Sequence, residues 1–399
     1  MRLAILYSHL REFGGAEGVV LKQAELLQSH GHDVSCYFAY VDKSLVKGLA
    51  DFKPKVESFL KFPVPNIEIF RLISSIPLAP LTLKAFRNVD VLICHGYGPS
   101  PWIGFVVKKI RRLKYISYVH SPPRFLYLGT KMKELWSFNR IRHALYSMGS
   151  VSGQILRKVD FLGVVNSDAV LVNSVFTARR VKAIYEIQPA VCYPPVDTGI
   201  FKPLDQEVVQ EMQSEFELPF ILSSGRIVPI KRWEWLLESI AHVKRIYPHV
   251  TLAVTGRITR ENVHYVQELI KLAESLGIRK NLRFLGFLTQ NELVKLYNLA
   301  DVYAYSVPSE DFGLGPVEAM ACGTPAVVWD DGAGPCETVI NEKTGFRARP
   351  YEVEDFAQKL LKALDMDKLK VSKFSSEFVQ KHFSHEKHLR ILEETIESL

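Results

Sequence analysis

Short apolar runs alternate with segments of helical period along the whole of this 399-residue chain, and few folds accept that rhythm. In the first half, Leu3–Tyr7, Val34–Phe38, Val89–Cys94, Tyr115–Val119 and Ala169–Val172 read as strands. In the second, Phe220–Ser223, Thr251–Thr255, Leu282–Leu285, Val302–Tyr305 and Ala326–Trp329 repeat the pattern. Fully apolar strands separated by helices predict parallel sheets covered on both faces, in an α/β class. The chain is long for one core at 47% apolar content, so two doubly wound, Rossmann-like domains are expected. Their ligands belong beyond the carboxyl ends of the strands.

The division is expected near Val191-Cys192-Tyr193-Pro194-Pro195-Val196-Asp197, where paired prolines stop any helix and fix an extended connection. Residues 1–190 then form one domain and 191–375 the other, leaving a charged helical segment over 376–399. One apolar stretch, Phe62-Pro63-Val64-Pro65 through Leu83, carries Pro77, Pro80 and Arg71 within it. It reads as a buried helix pair or as a surface that dips into lipid.

No apolar run of about 18 residues lacks a charge or a proline, the length at which a membrane span would be read. Met1-Arg2 leads straight into an apolar strand candidate, which is not the pattern of a signal peptide. The cysteines at 36, 94, 192, 322 and 336 form no C-x-x-C pair or zinc spacing, consistent with a reducing cytoplasm. Net charge is +7 but uneven: residues 1–190 hold 26 Lys/Arg against 13 Asp/Glu, and the remainder 24 against 30. Lys108, Lys109, Arg111, Arg112 and Lys114 concentrate the excess. Such a face attracts anionic lipid headgroups or phosphorylated acceptors, although an ordinary solvated helix has the same composition. No nucleic-acid motif accompanies it.

The most informative stretch is Ser309-Glu310-Asp311-Phe312-Gly313-Leu314-Gly315-Pro316-Val317-Glu318, followed by Gly323-Thr324-Pro325. Two carboxylates bracket a glycine-bearing turn that runs into a small-residue helix, with Pro316 expected at the first helical position and Glu318 in the first turn. Backbone N–H groups at the turn and the positive helix end favour a phosphate. Each carboxylate can accept from a pair of sugar hydroxyls, Glu310 from a hexose and Glu318 from a ribose.

This stretch resembles the E-x7-E signature of the retaining GT-B glycosyltransferases of family 4 (group 1), and the resemblance extends over nearly the whole chain. It implies a GT-B fold, two doubly wound domains facing a central cleft, with the last helix crossing back to the N-terminal domain. Gly225-Arg226-Ile227-Val228-Pro229-Ile230-Lys231 is similar to the family's G-R-x-x-x-x-K, implying that Arg226 and Lys231 clamp the donor diphosphate. Gly14-Gly15-Ala16-Glu17 opens a helix after the first strand, and the family places its glycine loop there beside donor or acceptor. The dehydrogenase fingerprint G-x-G-x-x-G is absent. His120, in His120-Ser121-Pro122-Pro123-Arg124, matches the family histidine that meets the donor sugar, and the string resembles that of a mannosyltransferase subgroup.

The resemblance thus implies His120, Glu310, Arg226 and Lys231 as catalytic, and Gly15, Arg226, Lys231, Phe287, Leu288, Phe312, Gly313, Leu314 and Glu318 as donor-binding. Asn173-Ser174 resembles a family string whose side chains cap the next helix or touch ligand, and Thr255-Gly256-Arg257 lies where the family binds the base. Asp330-Asp331 reads as a loop, because the family needs no divalent ion. The expected activity is transfer of a hexose, most of all mannose from GDP-mannose, to a lipid-linked or other glycan acceptor at the cytoplasmic face of a membrane. Glucose from UDP- or ADP-glucose is the alternative within the class. A GT-B nucleotide-sugar epimerase and a catalytically silent glycan-binding scaffold are the rivals outside it.

Overall fold

The computed structural model describes residues 1–10, 14–42, 45, 52–59, 79–80, 82–127, 151–205, 207 and 216–399. Most of the apolar stretch from Phe62 to Leu83 lies outside them. The described chain divides into two compact units, Met1–Pro195 with His385–Leu399, and Val196–Ser384. The first division falls at the end of the paired prolines. The second falls at Ser384, because the helix Lys368–Phe383 runs through residue 376 without a break.

The first unit holds strands β1 (Arg2–Leu10), β2 (Asp33–Val41), β3 (Lys55–Ser58), β4 (Val91–His95), β5 (Lys114–Val119), β6 (Ala169–Val172) and β7 (Ala190–Val191). They form one parallel sheet in the order β3-β2-β1-β4-β5-β6-β7. Helices α1 (Gly15–Ser29), α2 (Pro99–Arg111), α3 (Arg124–Tyr127), α4 (Val151–Val165) and α5 (Val175–Tyr185) connect them. The helix His385–Glu397 also belongs to this unit. Its buried His388, Leu389, Leu392 and Ile396 recur at helical spacing, and His32 Nε2 meets the Glu393 carboxylate at 3.0 Å.

The second unit repeats the plan with β8 (Phe220–Ser224), β9 (Thr251–Thr255), β10 (Leu282–Gly286), β11 (Val302–Tyr305), β12 (Ala326–Trp329) and β13 (Gly345–Ala348), in the order β10-β9-β8-β11-β12-β13. Its helices are α6 (Trp233–Lys244), α7 (Val263–Ser275), α8 (Gln290–Leu299), α9 (Leu314–Ala321), α10 (Pro335–Thr338), α11 (Val353–Leu364) and α12 (Lys368–Phe383), which makes His385–Glu397 α13. A core of Ile221, Leu252, Val254, Trp329 and Phe356 fills the space between sheet and helices. In each sheet the order reverses once, between β1 and β4 and between β8 and β11. The two strands of each such pair are parallel, but the chain leaves one toward one edge of the sheet and the other toward the opposite edge, so a crevice opens at their carboxyl ends.

Candidate functional site

The crevice of the second unit is bounded by the segment leaving β8 and the segment leaving β11. Gly225 donates to Thr255 O at 3.0 Å, and Trp233 Nε1 donates to Arg226 O at 3.3 Å, which pins the first segment. It then closes into a 3-10 turn, Pro229–Lys231, that delivers Lys231 toward β11. Lys231 Nζ lies 2.5 Å from Glu310 Oε2 and 3.3 Å from Tyr305 Oη, and Tyr305 Oη donates to the same Glu310 oxygen at 2.9 Å. Both charged side chains are less than one-fifth exposed. Arg226 is exposed on the same segment.

The second carboxylate sits deeper. Glu318 Oε2 accepts from Tyr297 Oη at 2.8 Å, and Ser224 Oγ bonds both Tyr297 Oη at 3.1 Å and Tyr303 Oη at 2.8 Å. Burial pushes the Glu318 carboxyl up from its ordinary value, and the Tyr297 hydrogen bond opposes that shift. Helix α9 begins earlier than the spacing suggests: Gly313 is its N-cap, at φ 83°, and Leu314 is its first residue. Pro316 is therefore third, where its missing N–H still costs no helical bond, and Glu318 falls just past the first turn. The left-handed turn at Gly313 is open to glycine at no cost and strained for other residues. Phe312 packs its ring 5.8 Å from Phe383 and is 3% exposed, so what it offers a ligand is backbone.

Gly315 answers to close approach. A Cβ there would lie 2.2 Å from Tyr303 Oη, whose ring is fully buried and whose hydroxyl holds Ser224. Gly315→Ala is expected to cost about 1–3 kcal/mol of stability, as overpacked sites do. A urea-melt midpoint equal to that of the wild type would show that the site yields freely.

Phe287 and Leu288 follow β10. Phe287 is 59% exposed, with the Arg257 guanidinium 5.0 Å from its ring centroid, so the two form a cation–π pair beyond β9 and β10. Asp331 accepts from Ser309 N at 2.7 Å, Ala333 N at 3.1 Å and Tyr351 Oη at 3.2 Å, while Asp330 faces Arg347 at 3.5 Å. Their bonds brace the loop that backs Glu310. Among the described residues, no three His, Cys, Asp or Glu side chains converge as a metal site.

Gly15 and His120 lie in the first unit. Gly15 is the first residue of α1, with Gly14 as N-cap. His120 follows β5, and its Nε2 is 3.1 Å from His95 Nδ1. Burial and the neighbouring His388 push the His120 imidazole down to about 3, so it is neutral at physiological pH and can donate one hydrogen bond. Ser174 caps α5 by accepting from Thr177 N at 2.9 Å. Of the basic cluster around the end of α2, Lys108 is engaged with Asp168 at 2.8 Å, and Lys114, the first residue of β5, with Leu399 O.

Sequence reasoning passed over Tyr297, Tyr303, Tyr305 and Asp160. Asp160 is fully buried and accepts from Gly98 N at 3.1 Å, Tyr127 Oη at 2.9 Å and Tyr185 Oη at 2.7 Å, tying the loop after β4 to the segment after β5. Burial pushes its carboxyl up to about 6. Tyrosines in an apolar strand or on the buried face of a helix read as core, and only the partners of their hydroxyls distinguish them.

Residues 13–199 match the family model "Glycosyltransferase Family 4" and residues 206–376 match "Glycosyl transferases group 1". Among curated proteins, the chain is 29% identical over 245 residues to a D-inositol 3-phosphate glycosyltransferase of Mycolicibacterium smegmatis, covering 59% of this chain and 55% of that one. It is 27% identical over 348 residues to the protein of that name from Streptomyces bingchenggensis, covering 79% and 74%. The chain spans about half the length of most of these relatives. Among solved structures it is similar to HepE of Anabaena in complex with UDP, with a TM-score of 0.80 at 20% identity and full coverage of both chains. The sucrose-phosphate synthase of Thermosynechococcus elongatus gives the same TM-score at 17% identity, covering 100% and 98%.

Proposed function

We propose, for a chain of the group 1 glycosyltransferases with the GT-B fold, that it transfers a hexose from a nucleotide-sugar donor to an anionic or lipid-linked acceptor with retention of anomeric configuration. The observation that carries this reading is the meeting of Lys231, Glu310 and the N-terminus of α9 at the point where the second sheet reverses its order. As the bond from the anomeric carbon to the diphosphate lengthens, negative charge grows on the departing oxygen, and Lys231, Arg226 and the α9 N–H groups neutralise it. Glu310 accepts from hydroxyls of the sugar and Glu318 from the ribose. The acceptor oxygen attacks from the face the phosphate leaves, the new carbon–oxygen bond forms as the old one breaks, and the acceptor proton passes to the departing phosphate oxygen. His120, neutral, donates to a sugar hydroxyl.

Mannose from GDP-mannose is the donor supported by His120-Ser121-Pro122-Pro123-Arg124 and Glu310-Asp311-Phe312-Gly313. Glucose from UDP-glucose is favoured by the likeness to HepE, whose structures hold UDP and UDP-glucose. The basic first half and relatives named for D-inositol 3-phosphate support an anionic acceptor. Among the described residues no helix is long and apolar enough to cross a membrane. The basic face is a surface suited to anionic lipid. The cations of the site make a divalent ion unnecessary to the scheme.

The test is thermal shift and slow hydrolysis with GDP-mannose, UDP-glucose, UDP-GlcNAc and ADP-glucose, without acceptor and in EDTA. One donor is expected to stabilise the protein and to be hydrolysed with EDTA present. Silence with all of them would overturn the reading. Activity lost in EDTA and restored by Mg²⁺ or Mn²⁺ would overturn the metal-independent scheme and make Asp330 and Asp331 the first residues to test as ligands.

A further inference from the structure

We infer that Tyr305 is a positioning residue of the transfer, its hydroxyl holding the Glu310 carboxylate in place when Lys231 turns to the departing diphosphate. The inference rests on the donor-site reading above. Tyr305 ends β11, and its phenol is 7% exposed with the ring 6.2 Å from that of Tyr303 in a stacked arrangement. Phenylalanine would fill the same volume, and a buried hydroxyl is costly unless bonded. Here it closes a ring of three groups: Lys231 Nζ donates to Tyr305 Oη at 3.3 Å and to Glu310 Oε2 at 2.5 Å, and Tyr305 Oη donates to Glu310 Oε2 at 2.9 Å.

The ring cannot persist unchanged through the reaction. Lys231 is paired with Glu310 in the free site, and a diphosphate that recruits it draws it away from Glu310. Glu310 must then hold its orientation toward the sugar hydroxyls by other means. Tyr305 is suited to this, because its ring is fixed by strand and stacking while lysine hangs on a flexible stem. A neutral phenol does not compete for the phosphate. Burial and the adjacent Glu310 push the Tyr305 phenol well above its ordinary value, so it stays a donor throughout the working range.

The experiment is Tyr305→Phe in the wild-type and Glu310→Gln backgrounds, with kcat and donor KM measured for the donor that the wild type uses and folding followed by thermal melting. Loss of a hydrogen bond to a charged group is expected to lower kcat roughly tenfold to a hundredfold. Donor KM should stay within about twofold, as for an interaction made in the transition state. In the Glu310→Gln background the same change should cost about twofold or less, since the carboxylate it acts through is gone. Unchanged kcat, a rise in KM alone, or an equal loss in both backgrounds would each overturn the role of Tyr305 and leave the donor site standing. A wild type inactive with every donor would overturn the underlying reading, and the role of Tyr305 with it.

Discussion

Lys231→Ala is expected to lower turnover about a hundredfold or more, because on the proposed reading it removes the positive charge that meets the leaving phosphate as it becomes negative. The geometry explains why a single lysine carries this much. The 3-10 turn Pro229–Lys231 follows an anchored segment, so Nζ arrives at the crevice with little backbone freedom. Its partners, Glu310 and Tyr305, hold it there before any ligand enters. The loss should fall on kcat more than on donor KM, since Arg226 and the α9 N–H groups still receive the ground-state diphosphate. Lys231→Arg separates charge from shape: it keeps the cation but changes its reach, and should recover part of the rate. Steady-state kinetics with the identified donor, alongside thermal melts of each variant, decides the matter. Turnover within a fewfold of wild type for Lys231→Ala would remove this residue from the phosphate clamp.

Glu310→Ala is expected to have an effect of the same order, about a hundredfold or more on transfer, through a different loss. On the proposed reading the carboxylate orients the sugar, and its removal also releases Lys231 and leaves the Tyr305 hydroxyl short of an acceptor. The pair is not fully exposed to water, so some stability is lost as well, and Glu310→Gln is the cleaner variant because it keeps the volume and one acceptor oxygen. Both variants should retain nucleotide-dependent stabilisation in thermal melts, since Glu318, Gly313 and the α9 N-terminus remain. Full transfer activity in Glu310→Ala would defeat the sugar-holding role.

The alternation of strand and helix made the two doubly wound sheets legible, down to strands such as Thr251–Thr255 and Ala326–Trp329. Strands β3, β7 and β13 were not legible, for physical reasons. Lys55–Ser58 is half-exposed at a sheet edge, Ala190–Val191 is two residues long, and Gly345–Ala348 begins with glycine and carries Arg347. The signature residues were readable as types. Their pairing was not, because Lys231 and Glu310 are joined only when β8 and β11 lie side by side. The start of α9 was displaced for a related reason: proline at 316 suggests a first position, but the left-handed turn at Gly313 had already begun the helix. Tyr305 left no signal, since a tyrosine and a phenylalanine at a strand end read alike.

Helix α13 belongs to the first unit although the whole of the second unit precedes it in the chain. It brings His388, whose Nδ1 meets Tyr193 O at 2.5 Å, and an apolar stripe ending at Ile396. During synthesis, then, the earlier-made unit must wait. The second unit is continuous from Val196 to Ser384 and needs no later residue, while its predecessor keeps an apolar strip uncovered until α13 has been made. The unit read first is thus the one whose last piece is made last.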